Sequence, residues 1–186
     1  MMKSDYYGIL LAGGKSSRMG RDKAGLTLKG RTFLEIQIDK MKDLGLSDIF
    51  LSGKCCDLPG ALSVPDVVAE KGPLGGLYSC FLRCEGRPAL VLPVDLPLIS
   101  VSTLSKIMEA FENAACDGLV LSFKGKTEPL IAVYNTGKAD ILKELLDSGD
   151  RAVSSFIRKI DYRYFEYEGD LRELLNCNTP EDLSLL

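Results

Sequence analysis

Residues 11–23 read LAGGKSSRMGRDK, a stretch that gathers the residue types able to bind phosphate. The paired glycines Gly13 and Gly14 let a backbone turn with positive φ and approach a ligand with no Cβ in the way. Successive amides in such a loop can point inward at phosphate oxygens. Lys15, Arg18, Arg21 and Lys23 add four cations within thirteen residues. Arginine offers a planar fork and lysine a compact charge, and both suit a triphosphate. A plain Gly-rich turn would need the glycines alone, so the cations favour binding. The dinucleotide fingerprint G-x-G-x-x-G is absent. A P-loop is missed by one residue, because five residues and not four separate Gly8 from Gly14-Lys15-Ser16.

Asp95 is the second candidate. It closes the apolar run PALVLPVDLP (88–97), where a hard carboxylate suits Mg²⁺ that is also bound to phosphates. The competing role is to cap the turn before Leu96-Pro97. Asp66 follows Pro65 and is either a pocket carboxylate or a turn residue. Asn178-Thr179-Pro180-Glu181 makes a good helix start, a structural role compatible with ligand binding. The aromatic run Tyr162, Tyr164, Phe165, Tyr167 favours sheet packing over a stacking platform. The chain has no histidine, so imidazole bases and Ser–His or Cys–His pairs are excluded. Phosphoryl and nucleotidyl transfer fit that restriction, because positioning and charge neutralisation do most of the work.

These residues need a scaffold, and the pattern supplies one. Residues 6–12, 48–53, 88–97, 117–123 and 129–135 read as strands, with a short extended piece at 61–66. Residues 32–45 carry Phe33, Leu34, Ile36, Ile38, Met41 and Leu44 at helical spacing, with Gly45 as a stop. Helices are expected at 74–84, 101–114, 137–148, near 152–159 and after Pro180, and residues 161–168 alternate. Strand–helix alternation of this kind predicts an α/β fold, a sandwich with a mostly parallel sheet. Such sheets bind ligands at the carboxyl ends of their strands, so the loop after the first strand and Asp95 belong on one rim.

The 186 residues fit one domain, 1–186, with no internal repeat and no linker. Net charge is −3, which disfavours a nucleic-acid footprint. Residues 1–31 nevertheless carry seven Lys/Arg against two Asp, so positive charge gathers near the Gly-rich loop. The longest apolar runs are too short to span a membrane. The N-terminal apolar run follows Asp5 and enters the Gly-rich turn, reading as a strand and not a signal peptide. Cys55, Cys56, Cys80, Cys84, Cys116 and Cys177 contain no C-x-x-C. Cys80 and Cys84 stand one helical turn apart, a spacing open to a soft metal but better read as thiols of a reducing cytosol.

LAGGKSSRMGRDK resembles the signature L-A-G-G-x-S-x-R-M-G-x-D-K of the molybdenum cofactor guanylyltransferases (the molybdopterin-guanine dinucleotide biosynthesis protein A family). PDVVAEKGPLGGL (65–77), LPVDLPLIS (92–100), TEPLIAVYN (127–135) and NCNTPEDL (176–183) match further segments in order, so the resemblance spans nearly the whole chain. The opening signature marks the wider class of sugar-nucleotide-pyrophosphorylase-like enzymes, and the closing segment narrows it. The resemblance implies a Rossmann-like nucleotidyltransferase fold, a three-layer α/β/α sandwich in which the N-terminal part binds nucleotide and the C-terminal part the acceptor. It implies transfer of GMP from GTP to molybdopterin in the cytoplasm, with Mg²⁺ as cofactor and transient biosynthetic or acceptor enzymes as partners.

By the same resemblance Leu11, Ala12 and Gly13 bind the nucleotide through backbone atoms, Lys23 contacts its phosphates, and Arg18 supports. Asp66 falls in the nucleotide pocket, Asp95 coordinates Mg²⁺, and Asn176 and Asn178 lie on the acceptor side. Arg18, Lys23 and Asp95 form the catalytic set. The Gly13-Gly14 pair leans towards guanine, since related cytidylyltransferases read L-A-A-G. Ser52 or Gly53 stands where the family often has Asn. The alternatives are a cytidylyl- or sugar-phosphate nucleotidyltransferase of the same fold, or a non-catalytic nucleotide-binding regulator.

Overall fold

The computed structural model describes residues 5–12, 27–53, 58–68, 71–177 and 182. Gly13, Gly14, Lys15, Arg18, Arg21, Lys23, the pair Cys55-Cys56, Asn178 and all of the expected closing helix except Asp182 lie outside the described residues.

Strand β1 (Tyr7–Leu11) is an interior strand of the sheet and is buried on both faces. It pairs in parallel with β4 (Ile49–Ser52) on one side and β6 (Pro88–Pro93) on the other. β5 (Leu62–Val64) extends the β4 side, again in parallel. Beyond β6 the direction reverses: β8 (Lys126–Asn135) runs antiparallel to both β6 and β7 (Gly118–Phe123), and β9 (Tyr162–Glu166) pairs in parallel with β7. The seven-stranded order is therefore β5-β4-β1-β6-β8-β7-β9.

Period-two alternation sorts the strand side chains into two cores. Leu10, Leu51, Leu90, Leu92, Leu121 and Val133 face α1 (Phe33–Asp43) and α3 (Val101–Ala114). Ile9, Leu11, Phe50, Val91, Val120 and Ala132 face α2 (Gly72–Phe81), α4 (Ala139–Asp147) and α5 (Val153–Ile157). Two helical layers enclose one mostly parallel sheet, the expected α/β sandwich.

Local chemistry fixes the ends of these elements. Thr32 caps α1: its Oγ1 accepts from the Glu35 amide at 3.2 Å, and the Glu35 carboxylate accepts from the Thr32 amide at 2.8 Å. Within α1, Phe33, Leu34, Ile38 and Met41 are buried, whereas Ile36 and Leu44 are only half-buried, so the apolar stripe is narrower than the sequence count. Two Lys-Gly pairs with positive φ, Lys29-Gly30 and Lys124-Gly125, close two-residue hairpins. The first joins β2 (Thr27–Leu28) to β3 (Arg31–Thr32), a hairpin absent from the sequence expectation; the second starts β8 three residues before the expected 129. Helix α2 opens two residues before the expected 74 and ends three before 84. Gly8 lies inside β1 because a Cβ there would come 2.5 Å from Met41 Sδ. Among the described residues no helix is long and apolar enough to cross a membrane.

Burial keeps several acidic hydrogens in place. It pushes the Cys80 thiol up, the Cys84 thiol to about 12, and the Tyr6 and Tyr167 phenols each to about 12; it raises Tyr134 too. An unfolded chain ionises such groups near 9 for thiols and 10 for phenols, so above about pH 9 it binds fewer protons than the folded chain. Stability then falls as pH rises. Lys40, held down to about 8, contributes the opposite slope between about 8 and 10.5, but it is one group against five. The urea midpoint is therefore expected to be lower at pH 10 than at pH 7.5. A Cys80→Ala/Cys84→Ala variant should show a smaller drop between the two pH values, whatever its midpoint at pH 7.5.

Candidate active site at the carboxyl rim

β1 leads on to β4 and β5 on one side, and the chain then returns to place β6 on the other. The carboxyl ends of β1, β4 and β6 thus border a topological switch point, the crevice where open α/β sheets take their ligands. Register puts Leu11 opposite both Ser52 and Pro93, and Ser52 opposite Val64. Each strand consequently releases its loop at the same rim.

Leu11 buries its side chain under α2 while its carbonyl accepts from the Val94 amide at 3.4 Å. Ala12 is half-buried at the head of the Gly-rich loop. Asp66 stands two residues beyond β5 with its side chain reaching solvent, and partial burial raises its carboxyl pKa above the ordinary value. The next amide, Val67, donates to Ser79 Oγ at 2.9 Å, and Ser79 in turn donates to the Gly75 carbonyl, so α2 holds the Asp66 segment. Gly75 and Gly76 of α2 permit this close packing. A Cβ on Gly76 would come 2.7 Å from Ser52 Oγ, so this position needs glycine for α2 to lie on the end of β4.

Asp95 stands two residues beyond β6, in a turn and not in the strand that the apolar run suggested. Its carbonyl accepts from the Cys177 amide at 2.8 Å. That bond brings the closing segment, with exposed Asn176, to the Asp95 turn. Leu11, Ala12, Asp66, Asp95 and Asn176 therefore all lie on one rim. Arg18, Lys23, Gly13 and Asn178 are outside the described residues.

Residues that sequence reasoning did not single out hold this turn. Gln37, fully buried in α1, donates to the Leu96 carbonyl at 2.6 Å, and Lys40 Nζ donates to the Pro97 carbonyl at 2.6 Å. Burial depresses the Lys40 ammonium to about 8, with the Glu173 carboxylate acting in the opposite direction. Glu173 accepts from the Ser100 amide at 3.2 Å and from Thr103 Oγ1 at 2.6 Å. Burial alone would raise the Glu173 carboxyl, but these hydrogen bonds outweigh it and hold it below its ordinary value. The one available signal was Gln37, a polar residue on the apolar stripe of a helix. A groove of about 510 Å³ opens beside the turn, lined by Ser100, Thr103, Lys106, Glu166, Tyr167 and Glu173.

Among the described residues no group of three or more carboxylates and thiols could hold a metal ion unaided. A rim carboxylate such as Asp95 fits a hard cation shared with substrate phosphates, the usual situation of Mg²⁺. Cys80 and Cys84 are fully buried in the core under α2, and the Cys84 thiol donates to the Cys80 carbonyl.

The switch-point crevice, the glycine-bearing strand–loop start and the rim carboxylate define a nucleotidyltransferase-type α/β domain. The chain belongs to the MobA-like NTP transferase domain family, whose model matches residues 8–164. It is 30% identical to the molybdenum cofactor guanylyltransferase of Xanthomonas euvesicatoria pv. vesicatoria, covering 100% of this chain and 96% of that protein. It is 31% identical to a probable molybdenum cofactor guanylyltransferase of Methanothermobacter thermautotrophicus, with 95% and 96% covered. The fold superposes on the crystal structure of molybdopterin-guanine dinucleotide biosynthesis protein A from Archaeoglobus fulgidus with a TM-score of 0.77, at 23% identity, over 96% of this chain and 95% of that one.

Proposed function

We propose that the protein transfers GMP from GTP to molybdopterin, giving molybdopterin guanine dinucleotide and pyrophosphate. The observation that carries this reading is the bond from the Cys177 amide to the Asp95 carbonyl. It joins the strand end that suits a metal–phosphate complex to the segment that the resemblance gives to the acceptor. Full-length similarity to guanylyltransferases supports the choice of base and acceptor.

An oxygen of the acceptor phosphate attacks the α-phosphorus of GTP, a new P–O–P bond forms, and the bond to the β-phosphate breaks. The attacking phosphate is ionised at neutral pH, so the absence of histidine costs the reaction nothing. Leu11 and Ala12 lead the backbone into the loop whose amides, with Arg18 and Lys23, hold the triphosphate and the charge on departing pyrophosphate. Mg²⁺ held by Asp95 supplies charge neutralisation on the phosphates when bound. The strands that lead into Asp66 and Asp95, β5 and β6, are three spacings apart in the sheet, roughly 14 Å. That separation suits opposite ends of a nucleotide better than ligands of one cation. Asn176 and Asn178 serve the acceptor side.

The test is pyrophosphate release with Mg²⁺ and GTP, with and without molybdopterin, against CTP and ATP. Release that needs both GTP and the pterin is expected. Release with CTP alone would move the protein to the cytidylyltransferases, and GTP binding without release from any nucleotide would leave a regulator.

A further inference from the structure

The turn after β6 leaves the regular ladder, so its backbone groups must find partners elsewhere. Between residues 94 and 100 they do so on four separate elements, while the Ile99 amide also closes on the Leu96 carbonyl at 3.4 Å within the turn. The Val94 amide bonds to the end of β1, the Asp95 carbonyl to Cys177, the Leu96 and Pro97 carbonyls to α1, and the Ser100 amide to Glu173. The α1 contacts and the Glu173 contact come from long side chains reaching across to the turn, and the two α1 donors meet successive carbonyls.

Gln37 is costly where it stands. It is 0% exposed among Phe33, Leu34, Ile38 and Met41, and its Oε1 is buried with no hydrogen-bond partner among the described residues. An apolar residue would avoid that penalty, and native interiors rarely leave such an atom unpaired. A residue that breaks the local rule in this way is expected where function requires it. Lys40, one turn further along α1, places its ammonium on the adjacent carbonyl. The two side chains therefore grip consecutive peptides immediately after Asp95.

We propose that Gln37 and Lys40 are positioning residues that fix the Asp95 carboxylate for the metal–nucleotide complex, acting through the Leu96 and Pro97 carbonyls. This deepens the role of Asp95 proposed above and rests on it. Loss of either donor releases the Leu96 or Pro97 carbonyl and loosens the turn just after Asp95, so the carboxylate no longer waits in one orientation. Such outer partners of a metal ligand typically contribute about 10-fold or more in metal affinity.

The experiment measures affinity for α,β-methylene-GTP, which is not cleavable at the α–β bond, once with Mn²⁺ and once in EDTA. The ratio of the two is the metal-dependent gain. Wild type is expected to show a gain and Asp95→Asn to lose it. Gln37→Leu and Lys40→Met should lose about 10-fold of it while binding the metal-free analogue normally. Lys40→Arg, which keeps a donor, should restore it. Met41→Ala serves as the structural control: it opens a cavity in the same helix, so its melting temperature should drop with the gain intact. Were Gln37→Leu to fail to fold, Lys40→Met alone would decide. A wild-type gain in Lys40→Met, or a gain lost equally in Met41→Ala, would overturn the inference. An equal gain in wild type and Asp95→Asn would overturn the role of Asp95 and the inference with it.

Discussion

Asp95→Asn is expected to leave the protein folded and to lower pyrophosphate release at saturating GTP by about 100-fold or more, the scale seen when one charge-stabilising group is removed from a reacting site. The substitution keeps shape and removes charge. The turn is held by its own main-chain groups: the Asp95 carbonyl takes the Cys177 amide, Val94 donates to Leu11, and the Leu96 and Pro97 carbonyls take Gln37 and Lys40. The strand beneath, with Ala89 to Leu92 fully buried, is untouched. The melting temperature should therefore stay near wild type while kcat collapses. KM for GTP should move less, because the proposed triphosphate contacts, Arg18 and Lys23, are unchanged by the substitution. Asp66→Asn should affect turnover less than Asp95→Asn, since Asp66 lies on the far strand and reaches solvent. A wild-type rate in Asp95→Asn would remove Asp95 from the mechanism.

Much of this arrangement was legible in the chain. Continuous apolar runs such as YYGILLA and PALVLP gave the buried central strands, and the alternation of strands with amphipathic helices gave the layers. Orientation within the sheet was harder, because an apolar strand reads the same in either direction. The antiparallel β8 follows from a two-residue linker: Lys124-Gly125 is too short for a crossover and can only close a hairpin. The same reasoning on Lys29-Gly30 would have found β2 and β3. The strand-end rule placed Asp95 on the rim without the structure, and the resemblance gave Asn176 to the acceptor side; the bond that brings Asn176 to the Asp95 turn came only with the fold. Neither reading could reach Gln37 and Lys40. Their partners Leu96 and Pro97 lie 59 and 57 positions away, and neither bond is written in a local pattern. A glutamine between Leu34 and Ile38 signals something, but only the packed turn shows what it grips.

The largest loss of stability should come from the other side of the sheet, at Phe156. Its ring is fully buried between two aromatic neighbours, edge-on to Tyr134 with centroids 5.4 Å apart and to Phe81 at 6.1 Å. Phe156→Ala is expected to cost about 3–5 kcal/mol, the range for truncating a core aromatic. The upper part of that range applies here because the walls of the cavity cannot close in. Tyr134 is tied by its hydroxyl to the Pro129 carbonyl at 2.7 Å, and its strand is locked between β6 and β7. Such a loss is a large share of the 5–15 kcal/mol that holds a typical domain together. The urea midpoint should fall steeply with the slope unchanged. Turnover per folded molecule should survive, because the ring packs against α2 and β8 and not against the rim. Phe156→Ala and Asp95→Asn are then opposite in kind, one losing fold and the other chemistry. A Phe156→Ala protein that kept its stability would mean that the aromatic cluster under α5 can collapse around the missing ring, against the tethering of Tyr134.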